Sequence, residues 1–200
     1  MSRLVVATLN PGKLREFAAA LAAAGIEVAG LESLDDRAPV EETGATFEEN
    51  ARIKAEAYSL RTALPVLADD SGLEVDALGG EPGVRSARYG GEGLDDAGRC
   101  RLVLERLRGV PEVERTARFR CVLAVARAGR TLAVFAGAVE GRLLDEPRGA
   151  NGFGYDPIFF HPGAARTFAE LTREEKEALS HRGEAIRRLV AAVRSGALAL

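Results

Sequence analysis

The chain has 200 residues, of which 46% are hydrophobic and 28% charged, as expected for one ordinary globular domain spanning residues 1–200. Its net charge of −3 lacks the basic surplus of a general nucleic-acid binder, but leaves room for a small anionic ligand held by a local cationic cluster. No apolar run approaches the ~20 residues needed to span a bilayer, and the opening MSRLVVATLN is too short in apolar residues for a signal peptide.

In chain order, RLVVAT (3–8) reads as a first strand, stopped by Asn10 and Pro11. Asn10 suits a helix N-cap and Pro11 the first helical turn. Leu14, Phe17, Ala18 and Leu21 then recur at helical spacing, with Gly25 as the stop. IEVAGL (26–31) suggests a second strand. Thr46 and Glu49 form a capping-box pattern that opens a helix to about Thr62. PVLADD (65–70) reads as a strand that ends at its two carboxylates. Residues 79–93 hold six Gly and one Pro and read as a loop. Cys100, Val103, Leu104 and Leu107 make another helical stripe, closed by Gly109 and Pro111. TARFRCVLAVA and TLAVFAGAVEG flank Arg127-Ala-Gly129-Arg130 as a long β-hairpin. A second loop, DEPRGANGFGYDP, precedes the short apolar run IFF. Thr172 and Glu175 give a second capping box and a short helix through Lys176. Ile186, Leu189, Val190 and Val193 stripe the last helix, ended by Gly196. Strand–helix alternation around a hairpin predicts an α/β fold, a mixed twisted sheet flanked by helices, with two lobes around a substrate cleft.

Several stretches can carry chemistry. TLNPGK (8–13) follows a strand and opens a helix, where free N–H groups and a lysine attract phosphate; it lacks P-loop spacing. Asn50 and Lys54, four apart, share one helix face. The acidic pairs Glu41-Glu42 and Asp69-Asp70 offer hard oxygen ligands for Mg²⁺, which takes one or two carboxylates plus substrate phosphates. Neighbours on a strand point to opposite faces, so Asp69 and Asp70 are not expected both to aim at the metal unless the strand has already ended, and Asp69 is read as a supporting residue or a weak additional ligand. GFGYDP (152–157) presents aromatic faces and a carboxylate that suit a nucleobase. SHR (180–182) stands at the start of the last helix. Of the 27 basic residues only Lys13, Lys54 and Lys176 are lysines, and the chain has three Asn (Asn10, Asn50, Asn151) and no Gln. Where Arg is the default cation, a retained Lys marks a place that needs a compact point charge. Cys100 and Cys121 have no metal-type spacing, which suggests reduced, buried thiols and a cytoplasmic protein.

Taken together, TLNPGK, EETGATFEENARIKA, LADDSGLEVDALGGEPGVRSARYGG, GFGYDPIFF and LTREEKEALSHRGEA run in an order and over a length that resemble the inosine/xanthosine triphosphate pyrophosphatases. Leu9 stands where many members have Gly. The resemblance implies Mg²⁺-dependent hydrolysis of a purine nucleoside triphosphate (ITP, dITP, XTP) to monophosphate and pyrophosphate, in a homodimer. It assigns Thr8, Leu9, Asn10, Pro11, Gly12 and Lys13 to phosphate binding, and Glu41 and Asp70 to the metal. Asp70 also matches the general base, and Ser71 a substrate contact. Phe153, Gly154, Tyr155, Asp156, Lys176, His181 and Arg182 match nucleoside-binding positions. Lys54 would join Lys13 in neutralising phosphate charge, while His181, Arg182 or a backbone N–H would meet the purine O6. Three other readings compete: a pyrimidine-preferring septum-inhibition nucleotide pyrophosphatase, a non-catalytic nucleotide sensor, and a dinucleotide oxidoreductase. The last would need a G-x-G-x-x-G after the first strand, which is absent.

Overall fold

The computed structural model describes residues 2–91 and 93–200. The chain order is β1 (Ser2–Ala7), α1 (Pro11–Ala22), β2 (Ile26–Gly30), α2 (Phe47–Ser59), β3 (Val66–Val75), α3 (Asp96–Arg106), β4 (Thr116–Arg127), β5 (Arg130–Leu143), β6 (Phe159–His161), β7 (Arg166–Thr167), α4 (Arg173–Leu179) and α5 (His181–Arg194). The seven strands form one open mixed sheet in the order β2-β1-β3-β4-β5-β6-β7. β1 runs parallel to β2 and β3, whereas β6 is antiparallel to β5 and β7. The expected α/β class is therefore found. No helix among the described residues is long and apolar enough to cross a membrane.

Local chemistry explains most of the helix starts. Asn10 accepts from the backbone N–H groups of Gly12 and Lys13, and Pro11 occupies the first turn of α1. Both expected capping boxes form, Thr46 with Glu49 and Thr172 with Glu175. At the tip of the β4–β5 hairpin, Ala128 (φ 50°) and Gly129 (φ 76°) both take the left-handed conformation that a two-residue turn of this twist demands.

The chain divides into two compact units, and β3, β4 and β5 contribute residues to both. The first comprises the described residues up to Asp70, Cys121–Gly137 and Arg182–Leu200. Its core gathers Leu4, Val6, Phe17, Leu21, Leu67, Leu123, Val125 and Leu189. The second comprises Ser71–Arg120 and Ala138–His181, with a core of Leu73, Val103, Leu107, Phe119, Leu143, Ile158, Phe159 and Phe168. Cys100 and Cys121 are free and buried as expected, and burial pushes both thiols up to about 12.

The largest departure from expectation concerns β3. The strand was expected to end at Asp69-Asp70, yet it continues to Val75, with both carboxylates buried in its middle. Two things carry it onward. Leu73 and Val75 belong to the second core, and Gly72 lies so close to Ser86 that a Cβ would stand 2.4 Å from its Oγ. The glycine-rich segment is also more regular than expected, because Gly83–Arg88 winds into a 3₁₀ turn braced by Ser86 Oγ, which donates to Gly83 O and accepts from Leu73 N. Glu92, within that segment, lies outside the described residues. Smaller corrections are that α2 stops at Ser59, α4 extends to Leu179, and the two-residue β7 was not anticipated.

Candidate active site

Within the first unit, α2 brings Asn50 and Lys54 against the middle of β3. Asn50 Nδ2 donates to Asp70 Oδ2 at 3.0 Å, and Lys54 Nζ donates to the carbonyl of Asp69 at 2.5 Å. Both residues also reach the turn before the helix. Asn50 Oδ1 accepts from Gly44 N at 2.8 Å, and Lys54 Nζ pairs with Glu42 Oε1 at 2.7 Å. Gly44 is required by this closeness: a Cβ there would sit 2.7 Å from Asn50 Oδ1 and 2.6 Å from Glu49 Cβ. Of the acidic pair, Glu42 is the member that holds Lys54 and raises the Asp70 pKa, while Glu41 is exposed.

Asp69 and Asp70 meet different partners, as neighbours on opposite faces of a strand do. Asp69 Oδ2 lies 2.8 Å from Lys13 Nζ and 3.6 Å from Arg182 Nη2, and Arg182 Nη1 pairs in turn with Glu16 Oε2. Burial alone would raise the Asp69 carboxyl. Lys13 first, then Arg182 and Lys54, outweigh it and hold the group well below the usual carboxylate range. Asp70 has the opposite balance. Burial, with help from the Glu42 charge, pushes its carboxyl up to about 6, against Lys54, Asn50 and Lys13. For Lys54 burial disfavours the charged form, but Asp69, Glu42 and Asp70 outweigh it and leave its pKa raised.

Residues 8–13 precede this centre on the same unit. Thr8 Oγ1 accepts from Asn10 N, Leu9 is 71% exposed, and Pro11 and Gly12 open α1 so that Lys13 faces Asp69.

Within the second unit, Asp156 Oδ2 accepts from Phe153 N at 2.8 Å and pairs with Lys176 Nζ at 2.6 Å. Gly152 (φ 77°) permits this, since a Cβ there would lie 2.1 Å from Asp156 Oδ2. The Lys176 ammonium stands 4.4 Å from the centroid of the Phe153 ring, a cation–π contact. Gly154 N donates to Asp96 Oδ2, and the buried Tyr155 hydroxyl donates to Ser86 O, which ties Tyr155 into the scaffold. Ser71 is half-buried where β3 enters this unit. His181 is buried, its ring stacked on Phe119 at 4.9 Å.

The structure thus gathers Lys13, Lys54 and Asp70 in one unit and Phe153, Asp156 and Lys176 in the other. It separates His181 from its neighbour Arg182, whose guanidinium joins the Asp69 network. Asn50 and Glu16 complete the charged centre without having been assigned roles from sequence, and Glu42 and Asp69, offered there only as members of acidic pairs that suit Mg²⁺, prove to be partners of Lys54 and Lys13. For Asn50 a signal existed, in the scarcity of amide side chains. For Glu16 there was none, because its partner lies at the far end of the chain.

Among the described residues, no group of three or more His, Cys, Asp or Glu is arranged to hold a metal ion. The oxygen donors here are nevertheless hard, with the Asp70 and Glu42 carboxylates close enough for the Glu42 charge to add to burial in raising the Asp70 pKa. That suits a cation such as Mg²⁺, which takes few protein carboxylates and completes its shell with substrate phosphates.

A sequence model of the Ham1 family matches residues 4–192. The chain belongs to the Ham1 family. A Ham1 relative from Geobacillus kaustophilus, described as a dITP/XTP pyrophosphatase, is 53% identical over 189 residues, which are 94% of this chain and 93% of that protein. A protein of the same description from Escherichia coli K12 is 49% identical over 199 residues, covering 98% of this chain and all of that one (100%). Among solved structures, the HAM1 protein of Coxiella burnetii matches with a TM-score of 0.87 at 43% identity, over 98% of this chain and 100% of its own. The Ham1 fold is thus the α/β fold described above.

Proposed function

We propose that this chain hydrolyses deaminated purine nucleoside triphosphates (ITP, dITP and XTP) to the monophosphate and pyrophosphate. The observation that carries the reading is a buried carboxylate, Asp70, set among Lys13, Lys54 and Asn50. It occurs in a chain about half identical, over nearly its full length, to proteins described as dITP/XTP pyrophosphatases.

In this reading the triphosphate is met by residues 8–13, where the start of α1 favours an anion through its dipole and Lys13 provides a full positive charge. A water attacks the α-phosphorus, Asp70 takes its proton, and the bond from the α-phosphorus to the bridging oxygen breaks to release pyrophosphate. A carboxyl near neutrality accepts a proton more readily than an ordinary aspartate, and Asp70 is raised to about 6. Lys13 and Lys54 neutralise the charge that develops on the phosphoryl oxygens. Their present partners are Asp69 and Glu42, which the phosphates would replace. Asp70, with Glu41 or Glu42, would hold Mg²⁺, which would supply further neutralisation of the phosphates and polarise the attacking water.

Phe153 is assigned to stack on the base and Lys176 to donate to the purine O6, with Asp156 holding that ammonium. The amino group of adenine offers Lys176 no acceptor, and sites that hydrogen-bond a substrate group discriminate by up to ~10⁴. His181 and Ser71 are assigned as further substrate contacts. A homodimer and a cytoplasmic location complete the proposal.

Product analysis tests it. ITP, dITP, XTP, dATP, dGTP and dTTP are each incubated with Mg²⁺ and the products resolved. Pyrophosphate from the first three, lost on chelation of the metal, is the expected result. Release of orthophosphate, preference for dTTP, or binding of ITP without turnover would overturn it.

A further inference from the structure

Asn50 is fully buried in the interior of α2, at 0% exposure. The other two asparagines occupy positions that favour the residue, Asn10 as an N-cap and Asn151 in a loop. In a helix interior Asn is a poor choice, and buried amides are tolerated only when satisfied. Both ends of this one are used. The Gly44 N–H can only donate, so it requires the amide oxygen of Asn50 on its side, and the NH₂ group must then face Asp70. The donor that reaches Asp70 Oδ2 is thus oriented by the turn that follows Glu42.

We propose that Asn50 is a positioning residue that sets the carboxylate plane of Asp70 for proton abstraction. It holds one oxygen of that carboxylate, and its own orientation is held by Gly44. The carboxylate is thereby registered against both the helix that carries Lys54 and the turn that carries Glu42. The terminal torsion of an Asp is broad, so a hydrogen bond to one oxygen narrows the range of planes the carboxylate adopts. Small errors of placement at a reacting group cost on the order of a hundredfold in rate. The inference rests on the reading of Asp70 as the base.

The test uses Asn50→Asp and Asn50→Ala, each in the wild-type and the Asp70→Asn background, with kcat, KM and Tm measured on ITP and Mg²⁺. Asn50→Asp is isosteric and keeps the acceptor for Gly44 N–H, but replaces the donor facing Asp70 with an oxygen and sets a second carboxylate against it, whereas Asn50→Ala removes the donor without adding charge. Its kcat should fall about ten- to a hundredfold with KM within about threefold. In the Asp70→Asn background, where no carboxylate remains to be aimed, neither Asn50 substitution should lower the residual turnover further. Should Asn50→Ala fail to fold, the isosteric variant still decides. Wild-type kcat in Asn50→Asp, or equal proportional losses in both backgrounds, overturns the inference and leaves the role of Asp70 intact. Near wild-type turnover in Asp70→Asn itself overturns the base assignment, and this inference with it.

Discussion

Lys13 Nζ and Asp69 Oδ2 are 2.8 Å apart, the lysine end 17% exposed and the carboxylate end 1%. A cation at the start of α1 is therefore extended towards β3 by a carboxylate that solvent hardly reaches. Arg in place of Lys13 keeps the charge but needs room for a planar fork where a point charge now fits. Lys13→Arg should lower kcat/KM for ITP by about ten- to a hundredfold. Steady-state kinetics would read this directly, and an unchanged value would leave Lys13 a structural partner of Asp69 with no need for a point charge at the phosphates.

Asp69 has a different vulnerability. Its folded pKa is depressed, so it contributes stability that is fully present above its unfolded value near 4 and lost as pH falls below that. Asp69→Asn leaves Lys13 and Arg182 facing a neutral amide, and breaking one side of a buried pair costs about 3–5 kcal/mol. Urea unfolding at pH 7 should show that loss, and the gap to wild type should narrow at pH 3. A variant as stable as wild type at pH 7 would contradict the network.

For Asp70 the sign reverses. Its carboxyl is raised from 3.8 to about 6, chiefly by burial. Ionising it in the folded state therefore carries a penalty that is absent below pH ~4, grows as pH rises towards 6 and is fully present above it, so stability falls across that window. Asp70→Asn removes that penalty. Without divalent cations, the variant should be more stable than wild type by about 1–3 kcal/mol at pH 7.5 and roughly equal to it at pH 4. With Mg²⁺ and ITP it should have lost nearly all turnover. Calorimetry and product assays on one preparation check both halves, and an active variant of unaltered stability would refute them.

Lys176 tests base selection. Lys176→Met keeps much of the length of the side chain but removes the donor assigned to O6. Losing one hydrogen bond of this kind costs about 1–3 kcal/mol. The ratio of kcat/KM for ITP over dATP should therefore drop between five- and a hundredfold. Arg182→Ala should behave otherwise. It strips Glu16 and Asp69 of a shared cation, so Tm and activity on both nucleotides should fall together. If Arg182→Ala altered the ratio and Lys176→Met did not, the two assignments would exchange.

Features governed by neighbours in sequence were legible without coordinates: the caps at Asn10, Thr46 and Thr172, the hairpin tip, and the shared face of Asn50 and Lys54. What escaped depends on distant partners. Two adjacent carboxylates look like the end of a strand until Lys13, Lys54 and Arg182 are known to surround them, and no local pattern joins those cations to β3. The choice between Glu41 and Glu42 turns on which one meets Lys54. His181 and Arg182 look like one motif, yet one packs on Phe119 and the other on charged partners.

The far end of α2 is secured as firmly as its beginning. Ser59 Oγ accepts from Gly129 N, and Glu56 Oε1 accepts from the backbone N–H and the hydroxyl of Thr131, all at the hairpin tip. A helix tethered at one end to a strand and at the other to a hairpin cannot roll about its long axis. Asn50 and Lys54 therefore approach β3 at an azimuth set from both ends of the helix. In the proposed reaction, accommodation of an incoming triphosphate would then fall to the terminal torsions of the lysine side chains, which would trade a carboxylate for a phosphate.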